Sequence, residues 1–135
     1  MDASAMLDRL LRTPAGLRVE QLLETSRSDI HVPDLCGPEV VSGLRRMLLQ
    51  GQLSVQRAQE AIEDYVGLAP TAHESRPFLM RSFRLRDNFS THDAMYVALA
   101  EILDAPLVTT DTPLARATVQ HTELTVLPAA AHRGP

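Results

Sequence analysis

The 135-residue sequence predicts a single α/β domain with a small, mostly parallel sheet. Short apolar segments typical of strands alternate along the chain with longer segments whose apolar residues recur at helical spacing. Strands that are separated by helices favour a parallel sheet, because each parallel crossover needs a connecting element of that length. The apolar content of 44% and the charged content of 22% are those of a globular protein with one core.

Helices are predicted from apolar spacing and from the residues that cap them. Thr13 and Pro14 are typical of an N-cap followed by a first helical residue, and Ser54 is placed to cap a later helix. Gly51 is positioned to end the helix before it. The predicted helical segments are 6–12, 15–24, 38–50, 54–68, 76–88, 90–103 and 112–117.

Strands are predicted at 29–33, 106–110 and 122–128, whereas the stretch 70–75 is interpreted as a connection. A further strand would end at Asp2 with only Met1 before it, so we expect a first strand that is truncated at the N-terminus. The domain is expected to span residues 1–128, and residues 129–135 are expected to form a flexible tail.

The charged residues limit the possible functions. All thirteen basic residues are arginines, which excludes a lysine-containing phosphate loop and Schiff-base chemistry. The net charge of −4 disfavours tight non-specific binding of a polyanion, so a nucleic-acid substrate would need a metal ion or a local arginine patch. The single cysteine and the absence of an apolar run of about 18–20 residues predict a cytoplasmic protein with no membrane partner.

Four acidic residues fall near predicted strand ends, where sites form in parallel α/β sheets. They are Asp2, Glu39, Asp93 and Asp111. Each has a purely structural alternative: Asp2 could be part of a frayed terminus, and Glu39 could be an acid favoured by a helix dipole. Asp93 could belong to a capping box, and Asp111 could be an N-cap.

Clustered carboxylates repel one another and need a counter-charge, for which Mg²⁺ or Mn²⁺ with oxygen ligands is the natural partner. Two such ions about 3.5–4 Å apart can activate water and stabilise the leaving oxygen in phosphodiester cleavage. Zinc is less favoured because the five histidines are scattered, and a serine hydrolase because no G-x-S-x-G motif occurs.

Four motifs occur in order: DASA at 2–5, PEVVSGLRRM at 38–47, LRDNFSTHDAMYVALAE at 85–101 and PLVTTDTPLARA at 106–117. Together they resemble the PIN-domain ribonucleases, and most closely the VapC-type toxins of bacterial toxin–antitoxin pairs. The resemblance runs over about residues 2–128.

The resemblance implies a three-layer α/β/α sandwich and a Mg²⁺- or Mn²⁺-dependent endoribonuclease. It implies a toxin that is held inactive by a cognate antitoxin, forms a homodimer and meets DNA only through the antitoxin. It gives metal-binding and catalytic roles to the four acids, and it places Thr109 and Ser4 in supporting positions. Arg86 could approach RNA phosphate or a site acid, or be a solvated helix-end residue, and His92 is expected on a helix surface.

Two other functions stay open. A short first strand would fix Asp2 poorly and leave the metal site incomplete, which is typical of a non-catalytic PIN-like interaction module. A housekeeping RNA-processing nuclease is less favoured, because the sequence carries no RNA-binding appendage.

Overall fold

The computed structural model describes residues 1–128, so the predicted tail at 129–135 lies outside the described residues. Within this range the chain forms seven α-helices, one 3₁₀ turn and four short strands. In chain order they are α1 Ala3–Leu10, α2 Pro14–Ser26, β1 His31–Pro33, α3 Cys36–Leu49, α4 Val55–Leu68, β2 Thr71–His73, the 3₁₀ turn Arg76–Phe78, α5 Leu79–Arg84, α6 Thr91–Leu103, β3 Leu107–Val108, α7 Thr112–His121 and β4 Val126–Leu127.

The strands form two parallel pairs. Strand β1 pairs with β2, with Val32 opposite Ala72, and β3 pairs with β4, with Val108 opposite Leu127. Each strand has only two or three residues, and three of the four lie within the predicted strand segments 29–33, 106–110 and 122–128. The prediction of an α/β fold with a small parallel sheet is therefore confirmed.

The first two residues connect the strand pairs. The amino group of Met1 donates a hydrogen bond to the carbonyl of His31 in β1 at 3.1 Å, and the Asp2 amide donates to the carbonyl of Val108 in β3 at 2.9 Å. Met1 and Asp2 thus lie between β1 and β3. Asp2 is only 4% exposed, so its interpretation as a frayed terminus is wrong.

Local capping signals set the helix starts. Thr13 accepts a hydrogen bond from the amide of Gly16 at 3.0 Å, and Ser54 accepts one from the amide of Arg57 at 3.1 Å, as predicted. Helix α1 begins three residues earlier than predicted, because Asp2 caps it. Helix α7 continues to His121 rather than ending at 117.

Two predictions about apolar and polar patterns were wrong. The stretch 70–75 contains β2, which is defined by main-chain bonds such as the one from the Thr71 amide to the carbonyl of Ile30 at 2.9 Å. The side chains of β2 are largely exposed, so the segment lacks the apolar residues from which strands were predicted. In α4, helical spacing predicts an apolar stripe of Val55, Ala58, Ile62, Tyr65 and Val66. Val55 and Val66 are instead 57% and 70% exposed, whereas Ala61 is fully buried.

Helix α6 forms the centre of the hydrophobic core. Every residue from 94 to 100 is buried, and the helix packs against β1, β3 and α5. Residues 94–100 are almost all apolar, and a helix that is apolar on all sides is typically buried. Its first turn emerges at the edge of the core, where it carries Asp93. Among residues 1–128, no helix combines the length and apolar content needed to cross a membrane.

Replacement of Gly16 by alanine tests the close packing of α1 on α2. A Cβ at Gly16 would lie 1.9 Å from the carbonyl oxygen of Asp8, so main chain has to move. We expect Gly16→Ala to lower the free energy of unfolding by at least about 1–3 kcal/mol, the usual cost of overpacking. Urea denaturation followed by circular dichroism measures it.

Gly67→Ala is the matched control, because nothing lies within 4 Å of a Cβ at this helical position. We expect it to be neutral or to stabilise the protein by up to about 1 kcal/mol. Equal effects of the two substitutions would contradict the packing described here.

Candidate active site

Asp2 is a buried carboxylate that is held by hydrogen bonds on both oxygens. Its Oδ1 accepts from the amide of Ala5 at 3.0 Å and from Ser4 Oγ at 2.8 Å. Its Oδ2 accepts from Thr109 Oγ1 at 2.7 Å. Burial raises the pKa of the Asp2 carboxyl above its ordinary value, and the hydrogen bonds offset part of that rise. Asp2 is therefore fixed in position as the N-cap of α1 and by its hydrogen bond to Thr109.

Thr109 connects Asp2 to the start of α7. Its hydroxyl donates to Asp2 and accepts a hydrogen bond from the amide of Asp111 at 3.0 Å. Asp111 in turn accepts from the amide of Leu114 at 3.1 Å and so caps α7. The N-cap interpretation of Asp111 is correct, and this capping also fixes the position of the carboxylate.

The carboxyl of Asp93 is affected by the negative charges of two other carboxylates. It occupies the first turn of α6, where its amide donates to Ser90 Oγ at 3.2 Å. Burial raises the pKa of the Asp93 carboxyl, and the negative charges of Asp111 and Glu39 raise it further. The charges of Asp111 and Glu39 thus act on Asp93, while Asp2 is connected to Asp111 through Thr109.

Glu39 is held by a residue that the sequence analysis missed. The Tyr96 hydroxyl donates to Glu39 Oε1 at 2.7 Å, and Tyr96 is buried in α6. Burial raises the pKa of the Tyr96 phenol, and its contact with Glu39 adds to that rise. The available signal was the position of Tyr96 three residues after Asp93, one helical turn further into the core.

Two other predicted residues lie at the surface. The His92 side chain is 70% exposed, as expected for a helix surface, and its Nδ1 lies 3.7 Å from Glu39 Oε2. Arg86 follows the end of α5, where its guanidinium lies 4.4 Å above the ring of Phe83 and donates to the Phe83 carbonyl at 3.2 Å. These contacts fit the alternative of a solvated arginine at a helix end.

The carboxylates do not form a closed cage. In the part of the chain that the structure describes, no three His, Cys, Asp or Glu side chains converge as a ready-made metal site. The arrangement is instead an open group of hard oxygen donors, in which the charges of Asp111 and Glu39 raise the pKa of the buried Asp93 carboxyl further. The metal-binding roles of the four acids stay a prediction.

Thr109→Val tests the connection between Asp2 and Asp111. Valine keeps the shape of threonine but removes the donor to Asp2 and the acceptor for the Asp111 amide. Because these partners are buried or half-buried, we expect the free energy of unfolding to fall by about 1–3 kcal/mol. Thr109→Ser keeps the hydroxyl and should lose less. A larger loss for Thr109→Ser than for Thr109→Val in urea denaturation would show that the methyl group, not the hydroxyl, matters.

Asp93→Asn tests the electrostatics of the site without any assay of activity. Since the folded-state pKa of Asp93 is raised, its ionisation destabilises the folded protein at pH values above that pKa. We therefore expect the variant to be more stable than the parent at pH 7 in the presence of a chelator. The gain should shrink as the pH falls towards the ordinary pKa of aspartate. Thermal unfolding over this pH range checks it, and a less stable variant at pH 7 would contradict it.

Comparison with known sequences shows the family of this chain. The sequence profile of the PIN domain matches residues 1–119. Ribonuclease VapC9 of Mycobacterium tuberculosis is 36% identical over 128 residues, which cover 95% of this chain and 97% of that protein. Ribonuclease VapC12 of the same organism is 31% identical over 92% of this chain and 95% of its own length. Ribonuclease VapC3 of the same organism is 37% identical over 87% of this chain and 85% of its own length. The chain therefore belongs to the PIN-domain family and is a relative of its VapC members, as its four motifs predicted.

Proposed function

We propose that this chain is the toxin of a toxin–antitoxin pair and acts as a Mg²⁺- or Mn²⁺-dependent endoribonuclease. The observation that carries the proposal is the Thr109 hydroxyl, which donates to the carboxylate of Asp2 and accepts from the amide of Asp111. Beside this pair, burial and the charges of Asp111 and Glu39 raise the pKa of the Asp93 carboxyl. Similar proteins that are named as ribonucleases, matched over most of both chains, support the same activity.

A divalent cation fits the chemistry of these side chains. Carboxylate oxygens are the donors that Mg²⁺ and Mn²⁺ prefer, and a cation would relieve the repulsion that acts on Asp93. When bound, the ion would supply positive charge to the reacting phosphate and make water a better nucleophile. The residues proposed to hold it, directly or through water, are Asp2, Glu39, Asp93 and Asp111.

The protein's own residues would position and move the reacting groups. Thr109 and Ser4 hold Asp2 in one orientation, and Tyr96 holds Glu39 through its Oε1. Asp93 lies in the first turn of α6 beside the charges of Asp111 and Glu39, and we assign to it the role of taking a proton from the attacking water. The oxygen of that water would then bond to phosphorus as the bond to the leaving oxygen of the RNA breaks.

The partners follow from the same proposal. RNA is the substrate, and a cognate antitoxin would inhibit the enzyme by placing an arginine against the carboxylates, where charge-assisted hydrogen bonds are strong. Homodimer formation and an indirect contact with DNA through the antitoxin belong to this proposal as well.

RNA cleavage by Asp93→Asn tests the proposal. We expect the parent to cleave labelled RNA with Mg²⁺ or Mn²⁺ and to lose activity with a chelator. Loss of a catalytic proton acceptor costs about 10²–10⁴-fold in rate, so the variant should be nearly inactive. Asp104→Asn is the matched control, because Asp104 is an exposed residue at the opposite end of the same helix. It should cleave like the parent.

Intact RNA at every concentration of Mg²⁺ and Mn²⁺ would contradict the proposed activity. If the same preparation bound a partner protein without cleaving RNA, a non-catalytic PIN-like interaction module would be the better description. Equal activity of Asp93→Asn and Asp104→Asn would show that Asp93 is not a catalytic residue.

A further inference from the structure

A wide cleft of about 930 Å³ adjoins the candidate active site. Residues 109–112, which include the helix-capping Asp111, line one part of it. Helices α2 and α7 line another part and contribute Arg18 and Arg116. The cleft therefore joins a site carboxylate to two arginines that come from opposite ends of the sequence.

The two arginines are available for a ligand. Both side chains are exposed, and within residues 1–128 neither forms an ion pair. Other arginines of the described chain have carboxylate partners, for example Arg81, which pairs with Glu101 at 3.0 Å. The charges of Arg18 and Arg116 are thus not used to hold the fold together.

The chemistry of the cleft favours a phosphate backbone over bases. The described residues that line it include no aromatic side chain, so the stacking platforms that bind single-stranded bases are absent there. Guanidinium groups bind phosphate oxygens through paired, charge-assisted hydrogen bonds. A chain with a net charge of −4 needs such local positive charge to attract a polyanion. The volume of the cleft is at the upper end of the range for ligand sites, which leaves room for an extended single strand of nucleic acid.

We propose that Arg18 and Arg116 bind the sugar–phosphate backbone of single-stranded RNA on the Asp111 side of the active site. This inference rests on the proposed ribonuclease function and adds to it the path of the substrate. The arginines hold phosphates next to the one that is cleaved, so they act in binding and not in proton transfer. Since they contact no base, they contribute affinity that is independent of sequence.

Binding of a fluorescein-labelled single-stranded RNA is the test. Fluorescence anisotropy in Mg²⁺ is measured on the full chain carrying Asp93→Asn, so that binding is read without cleavage. Arg18→Gln and Arg116→Gln should each reduce the slope of log K against log salt by about 0.7, the value for one phosphate contact on a single strand. Relative to 1 M salt, each substitution then weakens binding about fivefold at 0.1 M salt.

Arg45→Gln is the matched control. Arg45 is an exposed arginine on α3 that does not line the cleft, so its loss removes the same charge elsewhere. With Asp93 restored, the cleft variants should raise KM and leave kcat near the parent value, whereas Arg45→Gln should change neither. Melting curves show that each variant is folded.

The outcomes separate this inference from the proposed function. If RNA is cleaved but the two cleft variants keep the slope and KM of Arg45→Gln, the inference is overturned and the ribonuclease stands. If no RNA is cleaved by the parent, the ribonuclease fails, while an arginine-dependent salt slope would still support the RNA path. Arginine-dependent binding of an acidic peptide with no binding of RNA would overturn the path and assign the cleft to a protein partner.

Discussion

The hydroxyl of Thr109 is the contact on which the arrangement of the site depends. It donates to the buried carboxylate of Asp2 and accepts from the amide of Asp111, so one oxygen atom connects the start of α1 to the start of α7. A buried carboxylate destabilises a fold unless hydrogen bonds replace the water it has lost. This contact therefore stabilises the fold and orients the acids at the same time.

All four candidate acids lie at the beginnings of helices. Asp2 and Asp111 are N-caps, and Glu39 and Asp93 lie in first turns. The partial positive charge of a helix N-terminus favours a carboxylate, so this placement makes several negative charges tolerable in one region. The structural and the functional interpretations of these residues are therefore compatible, because capping fixes the positions of Asp2 and Asp111 without using all of their oxygen lone pairs.

Local sequence signals predicted much of the fold, and longer-range contacts explain the rest. The caps at Thr13 and Ser54 and the helix at 90–103 depend on neighbouring residues and were predicted correctly. Strand β2 depends on main-chain bonds to β1, which its exposed side chains do not reveal. In the site, the four acids were named from their places beside strands. The hydrogen bond from Tyr96 to Glu39 joins residues 57 positions apart, so the spacing of Tyr96 from Asp93 does not identify its partner.

That same hydrogen bond gives the protein an internal optical probe. The chain has two tyrosines and no tryptophan, so its ultraviolet emission comes from tyrosine alone, and one of the two is bonded to a candidate cation ligand. A phenol that donates to a carboxylate emits weakly, because the excited phenol transfers its proton to that acceptor. Any event that draws Glu39 away from Tyr96 should therefore brighten the protein. Under the proposed function, a cation that draws Glu39 away from Tyr96 would be detected as a rise in tyrosine emission, with no label and no substrate.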